Sequence, residues 1–516
     1  MVVLDIILKA VYNNNMKCKI VLKDEINCKI EGLELTTRRT LEKKLKFLLP
    51  YAFHSPAYKL GRWDGCVSFF STGGNTFINC LPYIIPVLDA ARYQIEIEDN
   101  RHRWDLSFPQ ITEDYFSHKV WPAKHPAAGE PVVLRDYQVD IINQFLANPQ
   151  SLQEIATGAG KTLITAALSN LVEMSIDIDT KVQQKLATGK SGARSIVIVP
   201  NKDLVVQTEA DYINLGLDVG VYFGDRKDLN RTHTICTWQS LNVIDKRFKD
   251  GESEYSLADF SQGVVCLIVD EVHQAKADVL KKLLTGAFSN IPIRWGLTGT
   301  IPKDEWEKLT LTVSLGDVIN KLAASELQDM GVLASCDVNI LQLQDNVTYG
   351  NYQSELTYLT TNTDRLDYMA TLINTLAEDG NTLVLVDRIS SGEGLMERLG
   401  ADAVFVNGAM KSKNRKEEYD DIADSDNKII IATYGVAAVG INIPRIFNLV
   451  LIEPGKSFVR VIQSIGRGIR KAKDKDSVRV WDITSSAKFS KRHLTERKKF
   501  YTEAKYPFTV TKVNYK

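Results

Sequence analysis

Ile155-Ala156-Thr157-Gly158-Ala159-Gly160-Lys161-Thr162 is the stretch on which the reading of this chain turns. From Thr157 to Gly160, two glycines and an alanine let backbone N–H groups converge on an anion. Lys161 adds a point charge, and the Thr162 hydroxyl can hold Mg²⁺. The apolar, alanine-rich run Leu163 to Leu171 predicts a helix whose positive N-terminal end faces the same phosphates. The P-loop pattern G-x-x-x-x-G-K-S/T begins with glycine, and Ile155 stands at that position. Taken alone the octapeptide is open to accident, and the rest of the chain has to decide.

A chain of 516 residues accommodates two to four domains, and 44% hydrophobic with 25% charged residues is ordinary globular composition. The formal net charge is −1, so nucleic-acid binding would have to come from local patches. Seven cysteines (18, 28, 66, 80, 236, 266 and 336) are scattered with no C-x-x-C, which argues against zinc sites and a disulfide framework and suits a reducing cytosol. The longest apolar runs, such as Gly263–Val269, are strand-length and too short for a membrane span. Asp5 and Lys9 interrupt the apolar start, and no signal peptide is expected.

Residues 1–100 read as a small α+β domain. Val2–Leu8, Lys17–Leu22, Cys66–Phe70 and Thr76–Cys80 have β character, and Thr36 is placed to cap a basic amphipathic helix running to Leu49. The turn Tyr58-Lys59-Leu60-Gly61-Arg62-Trp63-Asp64-Gly65 is dense in basic and aromatic residues. Lys59, Arg62 and Trp63 could grip a phosphate backbone and stack a base, or the turn is simply packed beside a solvated helix face. Residues 101–130, with three prolines and little periodicity, read as a linker. From Val132 the pattern becomes alternating strands and helices. Ser195–Val199, Thr234–Thr237, Val264–Val269 and Ile293–Leu297 form one strand series; Thr382–Val386, Ala403–Val406, Ile429–Ala432, Leu449–Ile452 and Val478–Trp481 form another. Two series imply two parallel-sheet lobes, residues 131–315 and 316–485. Ser175–Arg194 reads as a polar insertion. Residues 486–516 form a basic aromatic tail, with nine Lys/Arg against two Glu from Ala487 onward, that either adds a nucleic-acid contact or docks on the second lobe.

Asp270-Glu271-Val272-His273 follows an apolar run, so both carboxylates emerge at the C-terminal edge of a buried strand, where open α/β sheets bind ligands. Phosphoryl transfer to water needs a metal holder, which Asp270 suits, and a group that orients the attacking water, which Glu271 suits. In Gln463-Ser464-Ile465-Gly466-Arg467-Gly468-Ile469-Arg470, the two arginines are three apart and share a helix face. They either stabilise charge on a γ-phosphate or decorate a solvated surface.

These motifs, together with Leu134-Arg135-Asp136-Tyr137-Gln138 and Leu297-Thr298-Gly299-Thr300, occur in the order seen in superfamily 2 helicases. Ile198–Asn201, Thr237–Ser240 and Ile431–Gly440 resemble the remaining motifs. The resemblance spans roughly residues 132–485 and implies an α/β fold of two RecA-like parallel-sheet lobes preceded by the small α+β domain. It implies an ATPase using ATP and Mg²⁺. Arg135 and Gln138 would serve the adenine, Thr157–Thr162 the phosphates, and Thr162 and Asp270 the metal. Lys161, Asp270, Glu271, Gln463, Arg467 and Arg470 would carry catalysis. His273, Thr298, Thr300 and Gly440 would couple nucleotide state to movement, although His273 also reads as a satisfied buried histidine. Pro200, Asn201, Thr237, Trp238, Gln239 and Thr433 fall in segments that touch the nucleic-acid backbone.

Tyr58–Gly65 is similar to the Gly-x-Trp-Asp-Gly turn in the N-terminal domain of UvsW-type helicases of tailed bacteriophages. That resemblance implies a DNA-binding N-terminal domain with contacts from Lys59, Arg62 and Trp63, and ATP-dependent remodelling of branched or forked DNA in phage replication, recombination and repair. The absence of long heptads makes a monomer the default, and a phage-encoded protein of this kind would act in the host cytoplasm with no membrane partner. Three alternatives stand beside it: the motor subunit of a restriction-type translocase, an RNA helicase, and an ATP-gated junction-binding clamp.

Overall fold

The computed structural model describes residues 16–515 except 124, 126, 177–192, 230, 273–276, 401–402, 409, 411–424, 438–444, 458–460, 462–463 and 466–473. The chain divides into two compact units: one holds the chain up to Glu154 with Thr162–Lys321, the other Ile155–Lys161 with Leu322–Lys516.

The first unit begins with β1 (Lys17–Leu22), β2 (Asn27–Glu31), β3 (Lys46–Leu48), β4 (Cys66–Ser68), β5 (Asn75–Phe77) and β6 (Gln94–Asp99). Four of them make a sheet in the order β5-β2-β1-β6, and β3 pairs with β4. Strict alternation in β1 sends Cys18, Ile20 and Leu22 inward against Leu41 and Leu45 and against Leu81, Ile84 and Leu88. The basic helix differs from the sequence expectation. It spans Leu35–Lys44 with Glu34, not Thr36, at its N-cap, and Leu45 leaves helical geometry. Lys46–Leu48 then turns into strand because β4 offers it a hydrogen-bonding edge, which a helix reaching Leu49 would forgo. Thr76–Cys80 is likewise split, with β5 giving way to a short 3₁₀ turn over Ile78–Cys80. The Val2–Leu8 strand lies outside the described residues, as does most of the Ser175–Arg194 insertion.

β7 (Gln150–Ile155), β8 (Arg194–Val199), β9 (Val219–Phe223), β10 (Arg226–Lys227), β11 (His233–Thr237), β12 (Val264–Asp270), β13 (Ile293–Thr298) and β14 (Asp317–Leu322) build the lobe that follows. Their order is β10-β9-β11-β8-β12-β13-β7-β14. From β9 through β7 every pairing is parallel, so six strands present their C-terminal ends on one edge. The N-terminal domain shares core with this lobe. Leu309 and Val313, from the helix Glu305–Leu315, pack among its apolar side chains. The Asn79 side chain donates to the Thr312 carbonyl at 2.9 Å and that of Asn27 to Thr285 at 2.9 Å. Lys281 Nζ lies 3.9 Å from the centre of the Phe69 ring.

The second unit holds β15 (Ser335–Leu343), β16 (Thr382–Val386), β17 (Ala403–Val406), β18 (Ile429–Thr433), β19 (Asn448–Ile452), β20 (Ser477–Ser485) and β21 (Phe508–Val513). Their order is β17-β18-β16-β19-β20-β15-β21, with every pairing parallel. The expected α/β architecture of two RecA-like parallel sheets after a small α+β domain is thus observed.

Of the two readings of the basic tail, the structure displays docking. Helix Lys488–Glu503 is anchored by the buried Glu355 carboxylate, which accepts from the Phe489 and Ser490 amides at its positive end. Arg497 reaches both oxygens of Asp482 at 2.8 and 2.9 Å, Tyr501 donates to the same carboxylate, and β21 closes the sheet against β15. Among the described residues no helix is long and apolar enough to cross a membrane.

Candidate nucleotide site and nucleic-acid interface

The phosphate loop leaves the end of β7 and opens into helix Lys161–Ser175, as the alanine-rich run predicted. Gly158 and Gly160 adopt φ of +92° and +83°, a region that disfavours side chains. These are the two positions where the loop has to bend its amides inward. Thr157 and Gly158 are half-buried, Ala159 is buried with its amide 3.3 Å from the Ala156 carbonyl, and Gly160 is exposed. The Lys161 side chain is only 9% exposed and lies within the loop, its Nζ 3.5 Å from the Ile155 carbonyl. Thr162 is half-buried in the first turn of the helix.

β7, β13 and β12 are consecutive parallel neighbours, so the strand feeding the loop, the strand ending in Thr298 and the strand ending in Asp270 share one edge. Asp270 Oδ1 accepts the Glu271 amide at 2.9 Å. Glu271 sits at φ +51°, left-handed for a non-glycine residue, and is 7% exposed. Strain of that kind is retained where surrounding structure enforces it, and here it turns a buried carboxylate at the strand end. Gly299 N–H points to Glu271 Oε2 at 3.4 Å, while Thr298 Oγ1 donates to the Thr300 carbonyl at 2.9 Å. The turn after β13 is therefore linked directly to the carboxylate after β12.

Gln138 lies in the first turn of helix Asp136–Ala147, buried, and its Oε1 accepts the Arg135 amide at 3.0 Å. An amide oxygen carries two lone pairs, so this cap is compatible with reading an adenine edge. Thr162 and Asp270 are hard oxygen donors, the set that Mg²⁺ takes beside phosphate oxygens.

Pro200, Asn201, Thr237, Trp238 and Gln239 come together at the ends of the adjacent strands β8 and β11. Asn201 caps helix Lys202–Asn214 through Oδ1, Thr237 caps helix Trp238–Lys249, and Gln239 Nε2 donates to the Pro200 carbonyl at 3.0 Å. Asn201 Nδ2 and Trp238 Nε1 are buried donors with no acceptor among the described residues. In the N-terminal turn, Lys59 and Arg62 are exposed, whereas Trp63 is half-buried with its N–H on the Cys66 carbonyl at 3.2 Å. Gly65 is required there: a Cβ would meet Ala52 and the Tyr58 ring at 2.8 Å. Thr433 ends β18. His273, Gly440, Gln463, Arg467 and Arg470 lie outside the described residues.

Sequence reasoning missed a buried charge cluster in the second unit. Arg365 is fully buried between Asp345 and Glu453, its Nη2 3.2 Å from Glu453 Oε1, with Ser490 Oγ donating to Glu453 Oε2 at 2.7 Å. Glu453 follows β19 at φ +42°, repeating the strand-end turn of Glu271 in the other lobe. An acidic residue directly after an apolar run was the one available signal. Burial pushes the Glu453 carboxyl up to about 7 from an ordinary 4.5, against the lowering pull of Arg365, Ser490 and Arg497. Between those values the folded protein holds a proton that the unfolded chain has released. Stability is therefore expected to rise as pH falls from about 7 toward 4.5, by ~1.4 kcal/mol per pH unit, and to be lost as pH climbs through the same window. Melting followed across that range should show the slope in wild type and lose it in Glu453→Gln; an unchanged slope in the variant would assign the effect to another group.

Residues 131–303 match the family described as Type III restriction enzyme, res subunit, and residues 364–472 the Helicase conserved C-terminal domain. Among curated proteins, the chain is 23% identical over 475 residues to the ATP-dependent DNA helicase uvsW of Enterobacteria phage T4, covering 87% of both chains. It is 22% identical to the DNA 3'-5' helicase XPB of Mycobacterium tuberculosis, over 73% of this chain and 65% of that one. A Vibrio vulnificus fragment assigned as the HsdR subunit of a type I restriction enzyme is similar in fold, with a TM-score of 0.54 at 18% identity over 74% of this chain and 69% of that one. With both helicase domains matched in order over the two parallel-sheet lobes, the chain belongs to the ATP-dependent helicases of superfamily 2.

Proposed function

We propose that this helicase is a DNA motor that remodels branched DNA, regressing forks, migrating four-way junctions and displacing strands from R- or D-loops. One observation carries the reading. Residues 131–516 make up three quarters of the chain, so a match to the phage T4 DNA helicase over 87% of it reaches into the N-terminal domain. That domain, with its exposed Lys59 and Arg62, shares a core with the helix that follows Thr298–Thr300.

In this mechanism Gln138 holds the adenine edge and the loop from Thr157 to Lys161 holds the phosphates. Thr162 and Asp270 would hold Mg²⁺, which neutralises charge on the β- and γ-phosphates when bound. Glu271 orients the attacking water and takes its proton. Gln463, Arg467 and Arg470 balance the charge on the transferring phosphoryl group, and its departure releases them. Pro200, Asn201, Thr237, Trp238, Gln239 and Thr433 keep hold of a strand by its backbone, which needs no sequence reading.

Forked DNA is expected to stimulate ATP turnover several-fold more than RNA of the same sequence, and four-way junctions and R-loops should be resolved only while ATP is hydrolysed. Equal stimulation by RNA would move the reading to an RNA helicase. ATP-dependent binding without product would make the protein a clamp, and movement along plain duplex without strand exchange would make it a restriction-type translocase.

A further inference from the structure

Between Leu48 and Leu60 the N-terminal domain leaves large apolar side chains in solvent: Tyr51 is 45% exposed and Phe53 53%. Such side chains crowd together on a soluble surface chiefly where something binds. Both are seated on other rings. Tyr51 lies 6.5 Å from Trp63 and 6.3 Å from Trp306, and Phe53 makes an edge contact with Tyr58 at 5.4 Å. Trp306, only 9% exposed, belongs to the helicase lobe and packs with Leu49 and Ala52, and its indole N–H has no acceptor among the described residues. The ledge is thus built jointly by the N-terminal domain and by the helix that begins five residues after Thr300.

Charge selects the occupant. From Arg38 to Arg62 the chain carries seven Lys/Arg and one Glu, in a protein whose net charge is −1. A protein partner would call for an apolar centre depleted of charge. A polyanion bearing flat apolar faces satisfies both the rings and the cations. Paired bases hide those faces in the duplex stack, and unpaired bases present them.

We infer that Tyr51, seated on Trp63 and Trp306, and Phe53, seated on Tyr58, form a stacking site for unpaired bases at the branch, with Lys59 and Arg62 on the adjoining phosphates. This rests on the reading of the protein as a DNA motor and adds to it the residues that meet the separated strand. The site holds bases by stacking and leaves their hydrogen-bonding edges unread, so it tolerates any sequence.

The test uses the full-length protein and a fork whose single-stranded arm carries 2-aminopurine near the branch. Wild type should change the fluorescence of that base, whereas a blunt duplex with the same label should give no change. Tyr51→Ala/Phe53→Ala should weaken fork binding roughly 25-fold, two stacked rings each worth about a fivefold factor, with the salt dependence unaltered. Lys59→Ala should instead lower the salt slope. An unaltered 2-aminopurine signal with wild-type protein bound to the fork would overturn the inference, and needs no variant to fold. Equal weakening on fork and blunt duplex would also overturn it. So would a wild-type dimer that the double variant dissolves, because the ledge would then be a contact between copies. If wild type bound no forked DNA at all, the motor reading itself would fall; if it bound and the double variant bound equally well, the stacking site alone would.

Discussion

Replacing Lys161 by alanine is expected to lower nucleic-acid-stimulated ATP turnover by about three orders of magnitude. On the proposed function, the loop brings one ammonium and several amides to the phosphates. Lys161 is 9% exposed, in surroundings where water screens its charge poorly. Negative charge shifts during transfer of the γ-phosphoryl group, so the ammonium contributes more in the transition state than to bound ATP. The loss should therefore fall mainly on kcat, with a smaller rise in KM. Glu271→Gln separates the roles. It keeps the shape of the turn behind β12 but cannot take a proton, so ATP should still bind while turnover collapses. Steady-state turnover with and without forked DNA, beside nucleotide binding by fluorescence, distinguishes the two variants. Full stimulated turnover in Lys161→Ala would remove Ile155–Thr162 from the catalytic site.

The parts of the fold legible in the sequence are those whose burial is complete. In β12 six consecutive residues from Val264 to Val269 are buried, and the run declares itself as an unbroken apolar word. β7 escaped notice because its sequence, Gln150-Ser151-Leu152-Gln153-Glu154-Ile155, looks polar. Gln153 is nevertheless fully buried, since its amide donates to the Ile141 carbonyl at 2.9 Å and accepts from Asn320 at 3.0 Å. A polar side chain satisfied by tertiary hydrogen bonds carries no periodic signal. β21 failed for the opposite reason: four of its residues face solvent at a sheet edge, and pairing with β15 alone holds it. The basic helix was drawn too long because Leu41, Leu45, Leu48 and Leu49 fit a helical stripe, yet Leu48 ends 50% exposed on a strand. Among candidate site residues, the placement of contiguous ones was readable: the loop at Gly158 to Thr162 opens into its helix, and Asp270 with Glu271 stands at the end of a buried strand. The Arg365 cluster was not, because Asp345 and Glu453 lie 20 and 88 residues away and only the folded sheet brings them to one guanidinium.

That cluster should be the costliest place to cut the second unit. Arg365→Ala is expected to destabilise it by ~3–5 kcal/mol, because removing one partner leaves two carboxylates without the cation that allows their burial. The guanidinium is fully buried; Nε donates to the Leu359 carbonyl at 2.9 Å, one terminal nitrogen serves Asp345 and the other Glu453. Asp345 retains Ser485 at 2.6 Å and Tyr515 at 2.5 Å, and Glu453 retains Ser490, so the neighbours soften the loss without cancelling it. For a unit of this size the cost lowers melting by about 10 °C. The sign of its pH dependence identifies the cause. Burial already pushes the Glu453 carboxyl up to about 7, and without Arg365 it gives up its proton less readily, so the variant's deficit against wild type should shrink as pH falls toward about 7 and stay level below it. Adding Glu453→Gln to Arg365→Ala should restore part of the loss at pH above about 7, since the double variant buries one negative charge fewer. Arg497 pins the turn that follows Glu453 through the Gly455 carbonyl at 2.7 Å. A protein with Arg365→Ala that melts like wild type would show that the guanidinium adds no net stability, and the charge cluster would then be a set of ordinary hydrogen bonds.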